Sequence, residues 1–142
     1  SAFAISKTSK ESRSFLDINS AAVSAFSRFS RDIRRATTID TVQSILGASG
    51  GRLVLNLRET NGSNSTLSFY LSEGRVKIAE NGVYTGDITQ DNMAVSNLTF
   101  RRFSAASTTA VRIEMTLAPD ASTTVPALNF YGTYVLRGSY IQ

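Results

Sequence analysis

Between positions 8 and 38 apolar residues recur every three or four positions, and no Gly or Pro interrupts the segment. This spacing places them on one stripe of an α-helix. The pattern therefore predicts one amphipathic helix of about 30 residues, well above the usual length of about 11–12. The stripe consists of Phe15, Ile18, Ala22, Phe26, Phe29, Ile33 and Ala36. We expect Phe26, Phe29 and Ile33 to be buried, and Phe15 to lie near a protruding end.

After position 51 apolar and polar residues alternate, which is the pattern of β-strands with one buried face. The predicted strands cover residues 52–58, 66–71, 75–80, 83–85, 93–103, 111–117 and 130–136. Two apolar phases meet around Asn97, which predicts either two short strands or one strand with a bulge. Residues 86–92, 104–109 and 119–126 are polar, and we expect loops there.

No second helical pattern provides the crossovers that a parallel sheet needs. The predicted fold class is therefore α+β, with the long N-terminal helix packed on an antiparallel sheet. A chain of 142 residues with 42% hydrophobic residues is expected to form one domain over residues 1–142. Within it, residues 1–40 form the helical spine and residues 52–142 form the sheet body.

Composition narrows the chemistry that this chain can perform. The sequence contains neither cysteine nor histidine, which excludes disulfides, thiol chemistry and the commonest general base. No glycine-rich phosphate loop is present, and Glu114 is expected on a strand between Arg112 and Thr116, flanked by positive charge and not buried. The prediction is therefore a protein that is not an enzyme and binds no cofactor.

The formal net charge of +4 lies mostly on the predicted helix, where Arg28, Arg31, Arg34 and Arg35 cluster near its C-terminal end. Three of these arginines recur at helical spacing on the side opposite the apolar stripe, and Asp32 moderates their charge. A long helix that is apolar on one face and basic on another suits packing against other helices. We therefore expect an assembly interface formed by Phe15, Arg28, Arg31, Arg34 and Arg35.

The order of these elements resembles the ectodomain of type IV pilin-like proteins, particularly minor pilins and minor pseudopilins. The resemblance covers nearly the whole chain, although each motif alone is degenerate. It lies in the segments Phe29–Ala36, Ser68–Leu71, Gly74–Val76, Val95–Phe100, Val111–Leu117 and Tyr134–Gly138. The processing motif of the family is absent because the N-terminal segment that would carry it is absent. No C-terminal disulfide loop is possible without cysteine, which disfavours a major pilin but leaves a minor subunit open.

The resemblance implies a structural subunit of a type IV pilus-like filament or of a type II secretion pseudopilus. It also implies other pilin or pseudopilin subunits as partners, and a location at the cell surface or in a periplasmic filament. A further 20–30 apolar residues upstream of Ser1 would then anchor the chain in the membrane. Two alternatives stay open: a surface module that binds DNA or glycan, and a free-standing α+β domain of unknown activity.

Two polar clusters are weaker candidates for ligand sites. Asp87, Asp91 and Asn92 offer oxygen ligands for calcium, but their spacing differs from that of an EF-hand loop, and a solvated turn explains them better. Arg101 and Arg102 stand between aromatic residues, as in sites for single-stranded DNA. Arginines on the exposed side of a strand explain that pattern better, so nucleic acid is an unlikely partner. The tyrosines on predicted strands are interpreted as sheet packing.

Overall fold

The computed structural model describes residues 2–119 and 126–137, with side chains from Phe15 onward. These described residues form one helix, α1 (Ala2–Arg35), followed by eight strands. The strands are β1 (Thr38–Ile39), β2 (Arg52–Arg58), β3 (Asn64–Ser72), β4 (Arg75–Glu80), β5 (Val83–Asp87), β6 (Met93–Ala105), β7 (Thr108–Pro119) and β8 (Leu128–Val135). Ser1 and residues 120–125 and 138–142 lie outside the described residues, including most of the predicted loop 119–126.

The strands form two antiparallel sheets instead of the single sheet that the sequence predicted. The first sheet has the order β1-β2-β3-β4-β5, and the second has the order β6-β7-β8. The predicted fold class, a pilin-like α+β fold with a helix on one sheet, is therefore wrong, because the structure is mostly sheet. The alternation of apolar residues specifies a buried face for each strand, but it does not specify which strands share a sheet.

Phe29 joins α1 to both sheets in one hydrophobic core. Its ring meets Phe69 of β3 and Phe100 of β6 edge to face, with ring centroids 5.1 and 6.2 Å apart. Phe29 and Ile33 are fully buried, which confirms their predicted position, and Phe26 is partly buried. Phe29 therefore contacts an aromatic ring of each sheet and packs the helix against both in one core.

Backbone hydrogen bonds tie the two sheets together. The amide of Gly51 donates to the Leu98 carbonyl at 2.8 Å, and the amide of Val95 donates to the Gly74 carbonyl at 2.9 Å. A Cβ at Gly51 would lie 2.9 Å from the Leu98 carbonyl oxygen. The segment before β2 therefore approaches β6 so closely that only glycine fits at this position.

The helix ends earlier than its apolar pattern predicted. Thr38 does not belong to α1 but pairs with Asn56 in the short strand β1. The Thr37 amide donates to the Asn56 carbonyl at 2.8 Å, and the Asn56 side-chain amide donates to the Thr38 hydroxyl at 2.9 Å. Consecutive β-branched residues favour the strand conformation here, and these two hydrogen bonds hold it.

The β6–β7 hairpin is longer than predicted. β6 extends to Ala105 and β7 begins at Thr108, so the expected loop at 104–109 is a two-residue turn. Ala106 adopts a φ of 52° in that turn. The small polar residues on either side look like a loop in the sequence, but they continue the strand pairing. The predicted irregularity at Asn97 is confirmed as a bulge, since the register shifts between Val95 and Asn97.

Candidate assembly interface on the helix

The described part of α1 exposes two large apolar residues away from its buried stripe. Leu16 and Val23 are each 70% exposed, whereas Ile18 and Ala25 are fully buried. Since successive helical residues are about 100° apart, Leu16 and Val23 point in nearly the same direction, far from Ile18. They therefore form a second, narrower apolar stripe that the described residues of this chain leave exposed.

Phe15 lies at the boundary of the core, with 39% of its surface exposed. It follows the same helical stripe as Phe29 and Ile33, and Ile18 is the first described helical residue in the core. The helix begins at Ala2, so several turns precede that boundary. Phe15 was predicted as an interface residue, and its exposure at the start of the core leaves it accessible to a second helix.

Three of the four predicted interface arginines converge on one buried carboxylate. Asp32 is fully buried, and its oxygens lie 2.7 Å from Nε of Arg28 and 3.4 Å from Nε of both Arg31 and Arg35. The three guanidinium groups keep substantial exposure while the aspartate has none. Asp32 thus orders these side chains on one side of the helix, since a buried carboxylate requires charged partners.

Arg34 lies on a different side of α1 from this arginine cluster. It points in nearly the same direction as Leu16 and Val23, about a quarter turn away from the three others. Arg34 lines a cleft of about 460 Å³ together with Arg137 and residues 133–135 of β8. The structure therefore divides the predicted arginine set into a cluster bound to Asp32 and a separate Arg34 site.

Tyr134 forms part of the Arg34 cleft. Burial raises the pKa of the Tyr134 phenol, while the nearby positive charge of Arg34 lowers it in part. A second, shallower cleft of about 340 Å³ lies between Arg28 and Arg31 of the helix and Asp87 at the end of β5. Ser24 and Ser27 complete the helical wall of this cleft, so it presents hydroxyl and guanidinium groups together.

The predicted calcium candidates do not converge on one point. The Asp87 carboxylate lies 3.6 Å from Nζ of Lys77 and accepts a hydrogen bond from the Tyr84 hydroxyl at 2.7 Å. That hydrogen bond is the main cause of the raised pKa of Tyr84. The side chain of Asp91 is fully exposed, and its nearest ion-pair distance, to Arg75, is 3.9 Å. Within the described residues, no three acidic or other metal-ligating side chains are grouped so that they could hold a metal ion.

Arg101 and Arg102 lie on opposite faces of β6, since neighbouring strand residues alternate. Nε of Arg101 is 2.6 Å from the Glu114 carboxylate, which neutralises its charge. Phe100 is buried in the core, whereas Phe103 is about half exposed. Arg112 stacks over the Tyr131 ring, with its Cζ atom 5.1 Å from the ring centroid. The structure does not bring the two arginines together as one basic surface.

Sequence reasoning missed Asp32 as the residue that organises the arginine cluster. Its signal was present, because arginines lie four residues before it and three residues after it, which are the spacings of helical ion pairs. Leu16 and Val23 were also missed, since only the main apolar stripe was followed. Their seven-residue spacing, two helical turns, was the signal for a second stripe.

Comparisons of this chain with protein families, curated proteins and solved structures found no match. Within the part of the chain that the structure describes, no helix combines the length and the apolar character needed to cross a bilayer.

Proposed function

We propose that this protein is a non-enzymatic structural subunit of a filament, joined to its neighbours through α1. The observation that carries this proposal is the exposure of Leu16 and Val23 on a helix whose other face is already buried in the core. Single exposed apolar residues are common, but Leu16 and Val23 share one side of the helix, and the partly exposed Phe15 lies next to Leu16 at the edge of the buried stripe.

The resemblance of the sequence to minor pilins and minor pseudopilins favours a filament as the type of assembly, although the two-sheet structure differs from the single-sheet fold that this resemblance implied. In such a subunit the partners are other pilin or pseudopilin subunits, and the chain is anchored in a membrane through a segment upstream of Ser1. The Asp32 cluster supports this proposal too, because it holds Arg28, Arg31 and Arg35 in place at the helix surface. Ordered guanidinium groups are suited to carboxylates of a neighbouring subunit.

Disulfide cross-linking tests the helix interface directly. Because this chain has no cysteine, an introduced cysteine can form a disulfide only with another introduced cysteine. We expect the Leu16→Cys and Val23→Cys proteins, each alone and mixed with the other, to yield disulfide-linked dimers under mild oxidation, because helices packed along this stripe bring these positions together whether they are in register or staggered. Val42→Cys is the matched control, since Val42 is 92% exposed but lies outside α1. The measurement is the fraction of dimer on non-reducing gels across a concentration series.

Equal cross-linking at positions 16, 23 and 42 would indicate random collision and would contradict the proposal. A monomer at every position and concentration would contradict self-association through α1. Co-expression with a pilin-like neighbour from the same genome, followed by the same oxidation, would then show whether the helix packs against a different subunit.

A surface module that binds DNA or glycan is the second candidate function. The outer face of the β6-β7-β8 sheet favours it, because Phe103 and Tyr131 are both more than half exposed there beside Arg112. The Arg101–Glu114 ion pair weakens this candidate, since it removes one positive charge from the same face. The helix interface is therefore the better supported proposal.

A further inference from the structure

The free edge of β8 differs from the other exposed edges of the two sheets. β8 is the last strand of its sheet, and its eight residues pair with β7 without a register shift. By contrast, β1 has two residues, and the pairing of the five-residue β5 with β4 is interrupted by a bulge. β6, the other edge strand of the second sheet, already forms backbone hydrogen bonds on its outer side with Gly47, Gly51 and Gly74. Short strands and bulges are the usual means of protecting an edge from further pairing.

The sequence of β8 also lacks the residues that discourage pairing. It reads Leu-Asn-Phe-Tyr-Gly-Thr-Tyr-Val and contains no charged residue and no proline. Aromatic and β-branched residues, which favour strands, make up most of it. Among the described residues no strand lies on its far side, so a row of backbone amides and carbonyls faces outward.

The Arg34 cleft lies at this same free edge. Three consecutive residues, Thr133, Tyr134 and Val135, line it, although neighbouring strand residues point to opposite faces. No residue of β7 lines it, so the cleft lies on the side of β8 away from its partner strand. Arg34 and Arg137 supply two positive charges there, and within the described residues neither forms an ion pair with a carboxylate.

We propose that β8 accepts an extended segment of a partner protein as an additional strand, with a carboxylate of that segment held between Arg34 and Arg137. The outward backbone groups provide affinity, and the arginine pair fixes the register and selects an acidic residue. Antiparallel pairing places that acidic residue at the N-terminal end of the incoming segment. Arg34 lies on the same side of α1 as Leu16 and Val23 but 11 residues beyond Val23. The peptide test reads out β8 and the two arginines, and the cross-linking test reads out positions 16 and 23, so either one can fail without the other.

The probe for this proposal is a peptide whose only charge is one carboxylate. Acetyl-Glu-Thr-Val-Thr-Val-Thr-Val-amide meets this requirement, and its matched control has Gln in place of Glu. Titration of the ¹⁵N-labelled protein should shift the amide signals of Leu128–Val135 and the Nε–H signals of Arg34 and Arg137. We expect the Gln peptide to bind at least about fivefold more weakly, because it lacks the charge-assisted hydrogen bonds.

Variants test the role of the two arginines. The double substitution Arg34→Gln and Arg137→Gln should bind both peptides equally and as weakly as the native protein binds the Gln peptide. Arg35→Gln is the control, because Arg35 is exposed but lies beside Asp32 on another side of the helix. It should retain the preference for the Glu peptide.

Four results would overturn the proposal. The first is equal affinity of the native protein for the two peptides, and the second is a set of peptide-induced shifts that map outside β8. The third is a change of the β8 signals with protein concentration in the absence of peptide. The fourth is peptide binding that appears only after residues 138–142 are removed. The third result would identify a second copy of the chain as the occupant, and the fourth would identify the chain's own C-terminal segment.

Discussion

Gly132 of β8 lies directly against Phe26 of the helix. A Cβ at this position would be 2.6 Å from the Tyr134 hydroxyl and 2.8 Å from Cδ1 of Phe26. We expect Gly132→Ala to lower the free energy of unfolding by about 1–3 kcal/mol, because the added methyl group forces the helix and strand apart. Chemical denaturation of the two proteins measures this difference.

Gly86→Ala is the matched control for that substitution. Gly86 also lies in a strand, but no atom lies within 4 Å of its would-be Cβ. The change should therefore leave stability unaltered, or raise it by a few tenths of a kcal/mol through a less flexible unfolded chain. Equal losses at positions 86 and 132 would show that the effect comes from the backbone and not from the contact with Phe26.

Asp32 is the second residue at which a substitution should change the stability of the fold. Replacing it by Asn keeps the shape but removes the charge that holds three arginines, one of them through a hydrogen bond of 2.7 Å. We expect Asp32→Asn to lower the free energy of unfolding by about 1.5–3 kcal/mol, the usual worth of a hydrogen bond to a charged group. Thermal denaturation at low salt is the measurement, and Asp91→Asn, at a fully exposed carboxylate, should have no effect.

At the scale of elements, the helix shows how much of this fold its sequence predicts. Its apolar period of 3.6 residues predicted α1, and the burial of Phe29 and Ile33 follows from the same stripe. The pattern does not define where the helix ends, because Thr38 forms hydrogen bonds with a strand that is distant in sequence. The extent of the β6–β7 hairpin was missed for a similar reason, since cross-strand pairing overrides the polar composition of residues 104–109.

The candidate site was less predictable than the helix that carries it. The arginines were identified from their spacing, but the division into an Asp32 cluster and an Arg34 site depends on which helical side faces the core. The β8 cleft was not predicted at all, because it joins Arg34 to residues about 100 positions away in the sequence. Contacts of that kind are absent from any local pattern.

The two ends of the apolar stripe should respond differently to truncation. Phe29→Ala removes a fully buried ring from between the two sheets and should cost about 3–5 kcal/mol of unfolding free energy. Phe15→Ala should cost much less in the isolated domain, since Phe15 lies at the exposed boundary, but it should reduce cross-linking at positions 16 and 23. Equal destabilisation in thermal denaturation would place Phe15 within the core.

At the scale of the whole molecule, the pairing of strands into two sheets is what the sequence did not reveal. Apolar and polar residues alternate along strands of both sheets, and this alternation does not specify which strands pair. The order β1 to β5 and the separate group β6 to β8 therefore have no local signature. The division becomes apparent only through contacts such as those of Phe29, which touches both sheets at once. It also leaves one face of the β6-β7-β8 sheet open, where the second candidate function would act.

The charge of the whole molecule distinguishes the two candidate functions. The net charge is only +4, and ion pairs with Asp32 and Glu114 neutralise part of the basic surface. A nucleic-acid-binding protein releases counterions from several phosphates, so its affinity falls steeply as salt concentration rises. We expect this protein to bind labelled oligo(dT) no better than a protein of similar net charge, as measured by fluorescence anisotropy at low and physiological salt.

Micromolar, salt-sensitive binding that is lost in the Arg101→Ala, Arg102→Ala double variant would favour the nucleic-acid module instead. Binding that survives this variant but is lost in Arg112→Ala would place that function on the face of Tyr131, because Arg112 stacks on this ring.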